Sequence, residues 1–237
     1  LVGLVISLSV VAQEKVYVNA FKNKQLINAQ TAVIPEGFDF TIMHRFGKIG
    51  LDDRVYKDFL GFDNPANIRF SLSYKLNDRA YVGVGRTKIG KTIDIEGKYV
   101  LLRQTADNSA PLSIAIFNNT GINTEADNDY GPNAFFSDSI TPFENKFAHR
   151  LSYTTELILS RKFGEKVSLQ LSPTVVYKNL VFGLEEDHFT FVLPFSGRFQ
   201  YSFGSAILFE YAHKLNNRSE SALDNPFSLG FEFGTAG

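Results

Sequence analysis

Four histidines, His44, His149, His188 and His213, are the side chains best suited to chemistry, since a neutral imidazole is the commonest metal ligand near neutral pH. They lack the i,i+4 or paired-strand spacing of a ligand set, so ordinary interfacial histidines are favoured over a metal site at a rim. The run Glu125-Ala126-Asp127-Asn128-Asp129-Tyr130-Gly131 places oxygen ligands at alternating positions, as a Ca²⁺ loop begins. Its glycine comes one place late for an EF-hand turn and no Glu follows at the right distance, which favours a solvated acidic loop. Glu185-Glu186-Asp187 reads the same way. His149 and Ser152 resemble a hydrolase pair, but i,i+3 spacing puts them on opposite faces of an extended strand, where Ser152 cannot pass its proton to His149. Gly83-Val84-Gly85 opens no helix and is therefore no phosphate loop; glycines inside a strand relieve crowding. The residues point to no catalytic, metal or cofactor site, and no enzyme is expected.

The elements that carry these residues are extended. Ile68, Phe70, Leu72, Tyr74 and Leu76 alternate with Arg69, Ser71, Ser73 and Lys75, a period of two with one apolar and one hydrophilic face. Phe189, Phe191, Leu193, Phe195 and Phe199, and then Phe227, Leu229, Phe231 and Phe233, repeat it. Strands are expected at Phe38 to Phe46, Ala66 to Leu76, Arg79 to Lys88, Thr92 to Arg103, Leu112 to Thr120, Phe147 to Lys162, Val167 to Lys178, His188 to Tyr201, Ser205 to Lys214 and Phe227 to Thr235. Many reach the roughly ten residues that a tilted strand needs to cross a bilayer.

Connections alternate in length. Asn77-Asp78, Gly164-Glu165 and Ser202-Phe203-Gly204 are tight turns, whereas Gly47 to Pro65, Gly121 to Lys146, Asn179 to Asp187 and Leu215 to Pro226 are long. Ile89-Gly90 and Gln104 to Pro111 soften the contrast without changing the order. If the first strand runs outward from a periplasmic N-terminus, every long loop falls outside and every tight turn inside. Pro173 and Pro194 sit within expected strands and require a bulge or local break.

Parity assigns Asp39, Arg45, Arg69, Lys75, Asp94, Glu96, Lys98, Arg150, Glu156, Arg198, Glu210 and Glu232 to the interior of such a barrel. A Lys or Arg facing lipid at the midplane would cost roughly 2–4 kcal/mol, and this magnitude sets the register. Mixed signs favour ion-paired packing across a narrow lumen over a ring of one charge.

Composition agrees. The 237 residues carry 24 Lys+Arg against 25 Asp+Glu, a net charge of −1, which creates no field to gather nucleic acid. There is no Cys, which removes disulfides, thiolate metal sites and thiol nucleophiles. There is no Trp either, so the 10 Tyr and 23 Phe must supply any interfacial girdle. Leu1 to Ala12 reads as the apolar region of a signal peptide, lacking its initiating Met, with the mature barrel domain covering residues 13–237.

Several segments resemble an uncharacterised family of outer-membrane β-barrel proteins of Bacteroidota: His44-Arg45-Phe46-Gly47; Phe59-Leu60-Gly61-Phe62-Asp63 leading into Asn67-Ile68-Arg69; Leu76-Asn77-Asp78-Arg79 followed by Val82-Gly83-Val84-Gly85-Arg86. Lys98-Tyr99 with Leu102-Arg103-Gln104, Arg150-Leu151-Ser152-Tyr153 and Leu169-Gln170-Leu171-Ser172-Pro173-Thr174 continue the resemblance, which runs from about Val16 to the end. It implies a membrane location, no established activity, and two further strands beyond Gly237, which would make about twelve in the full-length protein against about ten here. The fold expected is an all-β, antiparallel, up-and-down transmembrane barrel in the outer membrane of a Gram-negative bacterium. The function expected is a narrow channel or permeability component with a charged, largely filled lumen, restricted by the Gly121 to Lys146 loop. The rival is a structural or binding protein acting through its outer loops, with a rim lipid hydrolase a distant third. The partners expected are outer-membrane lipid and a small solute or an outer-loop ligand.

Overall fold

The structure, a computed structural model, describes residues 15–45, 54–57, 59, 63, 65–126, 143–181, 187–216 and 225–234. The expected signal segment Leu1 to Ala12, most of the acidic loop at Asp127 to Gly131, and Glu185-Glu186 lie outside the described residues. The strands are β1 (Phe38–Arg45), β2 (Asn67–Asn77), β3 (Ala80–Thr87), β4 (Ile93–Leu102), β5 (Ser113–Ile122), β6 (Leu151–Phe163), β7 (Val167–Leu171), β8 (Thr174–Lys178), β9 (Phe189–Ser202), β10 (Ser205–Lys214) and β11 (Phe227–Phe233). They form one antiparallel sheet in sequence order, with β7 and β8 sharing the track between β6 and β9. Among the described residues, helix is confined to single turns, and no helix is long and apolar enough to cross a membrane.

The sheet is inside out relative to a soluble protein. Phe70, Leu72, Tyr74 and Leu76 are 45–56% exposed, whereas Ser71 and Ser73 between them are buried. Phe227, Leu229, Phe231 and Phe233 on β11 are more exposed still. The buried face is rich in Ser, Gln, Glu, Asp, Lys and Arg, with one apolar patch of Val100, Ala115, Phe117 and Ile158. Burial of the polar side in a closed-in space leaves the greasy side to meet lipid.

A short stretch of chain proves the curvature. Lys22 Nζ lies 3.5 Å from Glu232 on β11, and Lys24 Nζ lies 2.6 Å from Asp39 on β1. Laid flat, the tracks of β1 and β11 would stand about 43 Å apart at roughly 4.8 Å per spacing. Two residues of extended chain reach only about 7 Å, and the two lysine and two carboxylate side chains that complete the contacts cannot span the remainder. The sheet therefore wraps round until its first and last strands flank the same segment, although no ladder joins β1 to β11 among the described residues.

The two prolines share a single defect. The expected strand Val167 to Lys178 divides at Ser172-Pro173, where pairing with β9 lapses between Leu171↔Phe195 and Thr174↔Val192. Pro194 stands opposite this gap, so its missing N–H falls where no ladder bond is due, and its carbonyl still accepts from Ser172 N at 2.9 Å. β9 runs through Pro194 unbroken and pairs it with Ala212 of β10. The expected break is thus present at Pro173 and unnecessary at Pro194.

Candidate functional site

The segment before β1, residues 15–37, to which the sequence reading gave no element, starts along the β4–β5 connection, where Val18 N donates to Gln104 O and Ala106 N to Val16 O, both at 2.9 Å, and then occupies the polar interior with residues 20–35. It folds back on itself: Thr31 N donates to Lys24 O at 3.0 Å, Leu26 N to Ala29 O at 2.9 Å, and Thr31 Oγ1 to Asn23 O at 2.6 Å. Side chains on strands far apart in sequence hold the resulting loop. Lys24 Nζ reaches Asp39, Ser73 at 2.6 Å and Glu96 at 3.9 Å, joining β1, β2 and β4. Gln30 accepts from Tyr81 Oη at 3.3 Å through its amide and from Gln170 Nε2 at 2.6 Å through its carbonyl, joining β3 and β7. Glu156 of β6 accepts from Gln30 N at 3.4 Å. Glu210 of β10 accepts from Asn28 N at 2.8 Å and Ala29 N at 3.2 Å. Ala32 and Ile34 cover the apolar patch of β4, β5 and β6.

These contacts explain two carboxylates that parity alone left unmatched. Glu156 faces Phe117 and Thr174 in register, and Glu210 faces Ser196 and Ser228, so neither has a basic neighbour across the ladder. Backbone N–H groups of the inserted segment reach both oxygens of Glu210 and Oε2 of Glu156, supplying donors that a buried carboxylate requires, while Glu156 Oε1 has no hydrogen-bond partner among the described residues. That deficit becomes visible only once the register is known, and it is the inserted segment that meets it.

Five of the remaining ten assigned charges, Arg69, Asp94, Glu96, Arg198 and Glu232, pair with one another on the buried face. Arg69 grips Asp94 at 2.5 and 3.1 Å and Glu96 at 2.8 Å, while Asn119 also donates to Asp94 at 2.8 Å. Arg198 grips Glu232 at 2.8 and 3.3 Å. Lys98 donates to the Lys24 carbonyl at 2.8 Å and lies over the rings of Tyr81 and Phe117 at 5.0 and 5.9 Å. Lys75 sits at the end of β2 near the tight turn, between Glu36 at 2.8 Å and Asp78 at 2.9 Å. Arg45 is different: its one polar contact is Met43 Sδ at 3.8 Å, and no carboxylate pairs with it among the described residues. It lines a cavity of ≈ 730 Å³ between the inserted segment and β1, together with Asp39, Thr41 and Met43.

Arg150 departs from its expected place. The strand expected from Phe147 begins at Leu151, and residues 147–150 form a 3₁₀ turn at the long-loop end. From there Arg150 Nη1 donates to the carbonyls of Asn123 at 3.0 Å and Glu125 at 2.6 Å, tying down the ends of the Gly121 to Lys146 connection. A partnered guanidinium at the rim replaces the lumen-facing strand residue that parity suggested.

The histidines stay apart. His149 Nδ1 accepts from Lys146 N at 3.3 Å, His188 lies 2.7 Å from the Lys178 carbonyl, and His213 stacks on Tyr211. Among the described residues, no three His, Asp or Glu side chains come together as a metal group. Ser152 lies opposite Gly121 in the β5–β6 ladder, while His149 is on the preceding turn. Gly83 and Gly85 face the buried side, where a Cβ on Gly83 would lie 2.7 Å from Ser73 Oγ and one on Gly85 2.5 Å from Asp94 Oδ2. Their missing side chains make room for the ion pairs, not for a phosphate.

A family model described as Membrane bound beta barrel domain (DUF5777) matches residues 21–237. No curated protein matches the chain.

Proposed function

Because the chain belongs to that membrane-bound β-barrel family, we propose that it is an outer-membrane channel component whose narrow polar lumen is closed by its own N-terminal segment, residues 15–37. The N-terminus is then periplasmic, the long loops face outward, and the chemistry is passage rather than catalysis. The observation that carries this reading is the set of contacts from Lys24, Asn28, Ala29 and Gln30 to Asp39, Glu156 and Glu210: a loop held by reversible polar bonds to a polar wall. Were the loop simply an apolar core, its withdrawal would expose greasy surface to water. Its withdrawal from carboxylates and amides exposes groups that water can solvate.

The test is conductance across planar bilayers. The intact chain should show rare, brief openings, and a chain lacking residues 15–37 should conduct steadily. Since the protein has no native cysteine, an Asn28→Cys/Ser228→Cys pair, placed where the native side chains meet at 3.3 Å, can lock the loop. Oxidation should abolish openings and reduction restore them. Within the open state, Arg45→Gln should shift ion selectivity more than Arg198→Gln, because only Arg198 has its charge matched by a neighbour. A deleted chain that folds but seals as tightly as the intact one would move the reading to the rival, a structural or binding barrel that acts through its outer loops.

A further inference from the structure

On the lipid-facing side, at the end of the barrel that carries the long loops, three cations stand above apolar side chains. Arg86 lies on the exposed face of β3 with Val82 and Val84, directly opposite Phe70 of β2 and Ile93 of β4. Lys88 follows at the strand end, where its backbone N–H donates to the Ile68 carbonyl at 2.9 Å. Lys91 closes the Ile89–Lys91 turn with φ 39°, a left-handed conformation uncommon outside glycine. Together with Ile68, Phe70 and Thr87 these three line a cavity of ≈ 410 Å³.

Among the described residues the three cations have no anion. Arg86 donates to the Lys91 carbonyl and to Thr124 Oγ1 at 2.8 Å, and Lys88 Nζ donates to the Ala66 carbonyl at 3.3 Å. These acceptors are all neutral, and among the described residues no carboxylate pairs with any of the three. Elsewhere the same protein matches Arg69, Arg198, Lys24 and Lys75 with carboxylates. A concave site with an apolar floor of Ile68 and Phe70 and an unmatched triple positive rim, at the upper edge of a lipid-facing belt, has the polarity of a phosphorylated amphiphile: acyl chain below, phosphate above.

We propose that Arg86, Lys88 and Lys91 form a binding site for the phosphate headgroup of a phosphorylated lipid in the leaflet at the long-loop end, with its acyl chain lying along Phe70 and Ile68. The site is independent of whether the lumen conducts.

Native mass spectrometry of the full chain released from phosphatidylcholine nanodiscs tests this. The discs are doped with diphosphoryl lipid A or with the same glycolipid dephosphorylated. The phosphorylated lipid should stay bound and the dephosphorylated one should not. The Arg86→Gln/Lys88→Gln/Lys91→Gln variant should bind it on the order of a hundredfold more weakly, three cations each contributing near the membrane surface. Lys88→Arg/Lys91→Arg should bind as the native chain does, which separates loss of charge from loss of fold, and Arg161→Gln near the opposite end should bind normally. Equal retention of both lipids, undiminished binding by the triple variant, or full displacement by excess inorganic phosphate would each overturn the proposal.

Discussion

Arg69 holds two carboxylates at once with its own side chain only 12% exposed. Arg69→Gln leaves Asp94 buried without its cation and Glu96 with only Lys24 at 3.9 Å, and unfolding by urea in lipid vesicles should reveal a loss of about 3–5 kcal/mol. Lys75 has equally short contacts, but its partners Glu36 and Asp78 are largely exposed. Water already solvates them, so Lys75→Gln should leave the unfolding midpoint nearly where it is by the same measurement. Asp107, in the turn after β4, shows the sign of a pH effect. Hydrogen bonds from Thr105 and Ser109 hold its carboxyl down at about 2, against an ordinary value of 3.8. Its contribution to the turn is complete above the ordinary value and is lost as pH falls through about 2. A carboxyl titration followed by NMR should have its midpoint near there, and Thr105→Val should raise it.

At the scale of the strand, glycines divide into those that face the ion pairs and those that do not. A Cβ on Gly85 would lie 2.6 Å from Arg69 Nη2 as well as against both Asp94 oxygens, whereas one on Gly97 meets nothing closer than the Tyr81 carbonyl at 3.7 Å. Gly85→Ala should therefore destabilise by about 1–3 kcal/mol and loosen the Arg69 pair. Gly97→Ala should fall within roughly 0.5 kcal/mol of the parent, both read from urea midpoints. The strands also show how proline is tolerated on tracks that have a neighbour on either side. Pro173 breaks its own track, and Pro194 occupies the lapse so created on its neighbour. Replacing Pro173 alone would leave Pro194 facing a track able to pair again.

For the whole molecule, the governing fact is that apolar faces are exposed and polar faces buried, the reverse of a water-soluble sandwich. A bilayer makes this arrangement stable, and a polar lumen then needs either water or a matching polar insert. The inserted residues 15–37 provide that match by contacting strands from β1 to β11. Wall and insert are thus one cooperative unit, and removal of the insert should lower thermal stability as well as open the lumen. Heat-induced loss of the compact form on gels would register the first effect independently of conductance.

Alternation with a period of two determined the strands and the two faces of each, because a side chain's face depends only on its parity along an extended chain, while the alternating connection lengths pointed to the sequence-ordered antiparallel topology. The boundaries moved by a residue or two at most strands, and by four at β6, where Phe147–Arg150 turn before the ladder begins. Arg69, Asp94, Glu96, Arg198 and Glu232 could be assigned to one face from the sequence, but not to one another, since pairing depends on register and on the curl of the sheet. Tertiary structure alone decided the filling of the lumen. Residues 15–37 carry no repeating pattern, being shaped by single contacts to Glu156, Glu210, Gln170 and Asp39, residues brought together only when the sheet closes around them.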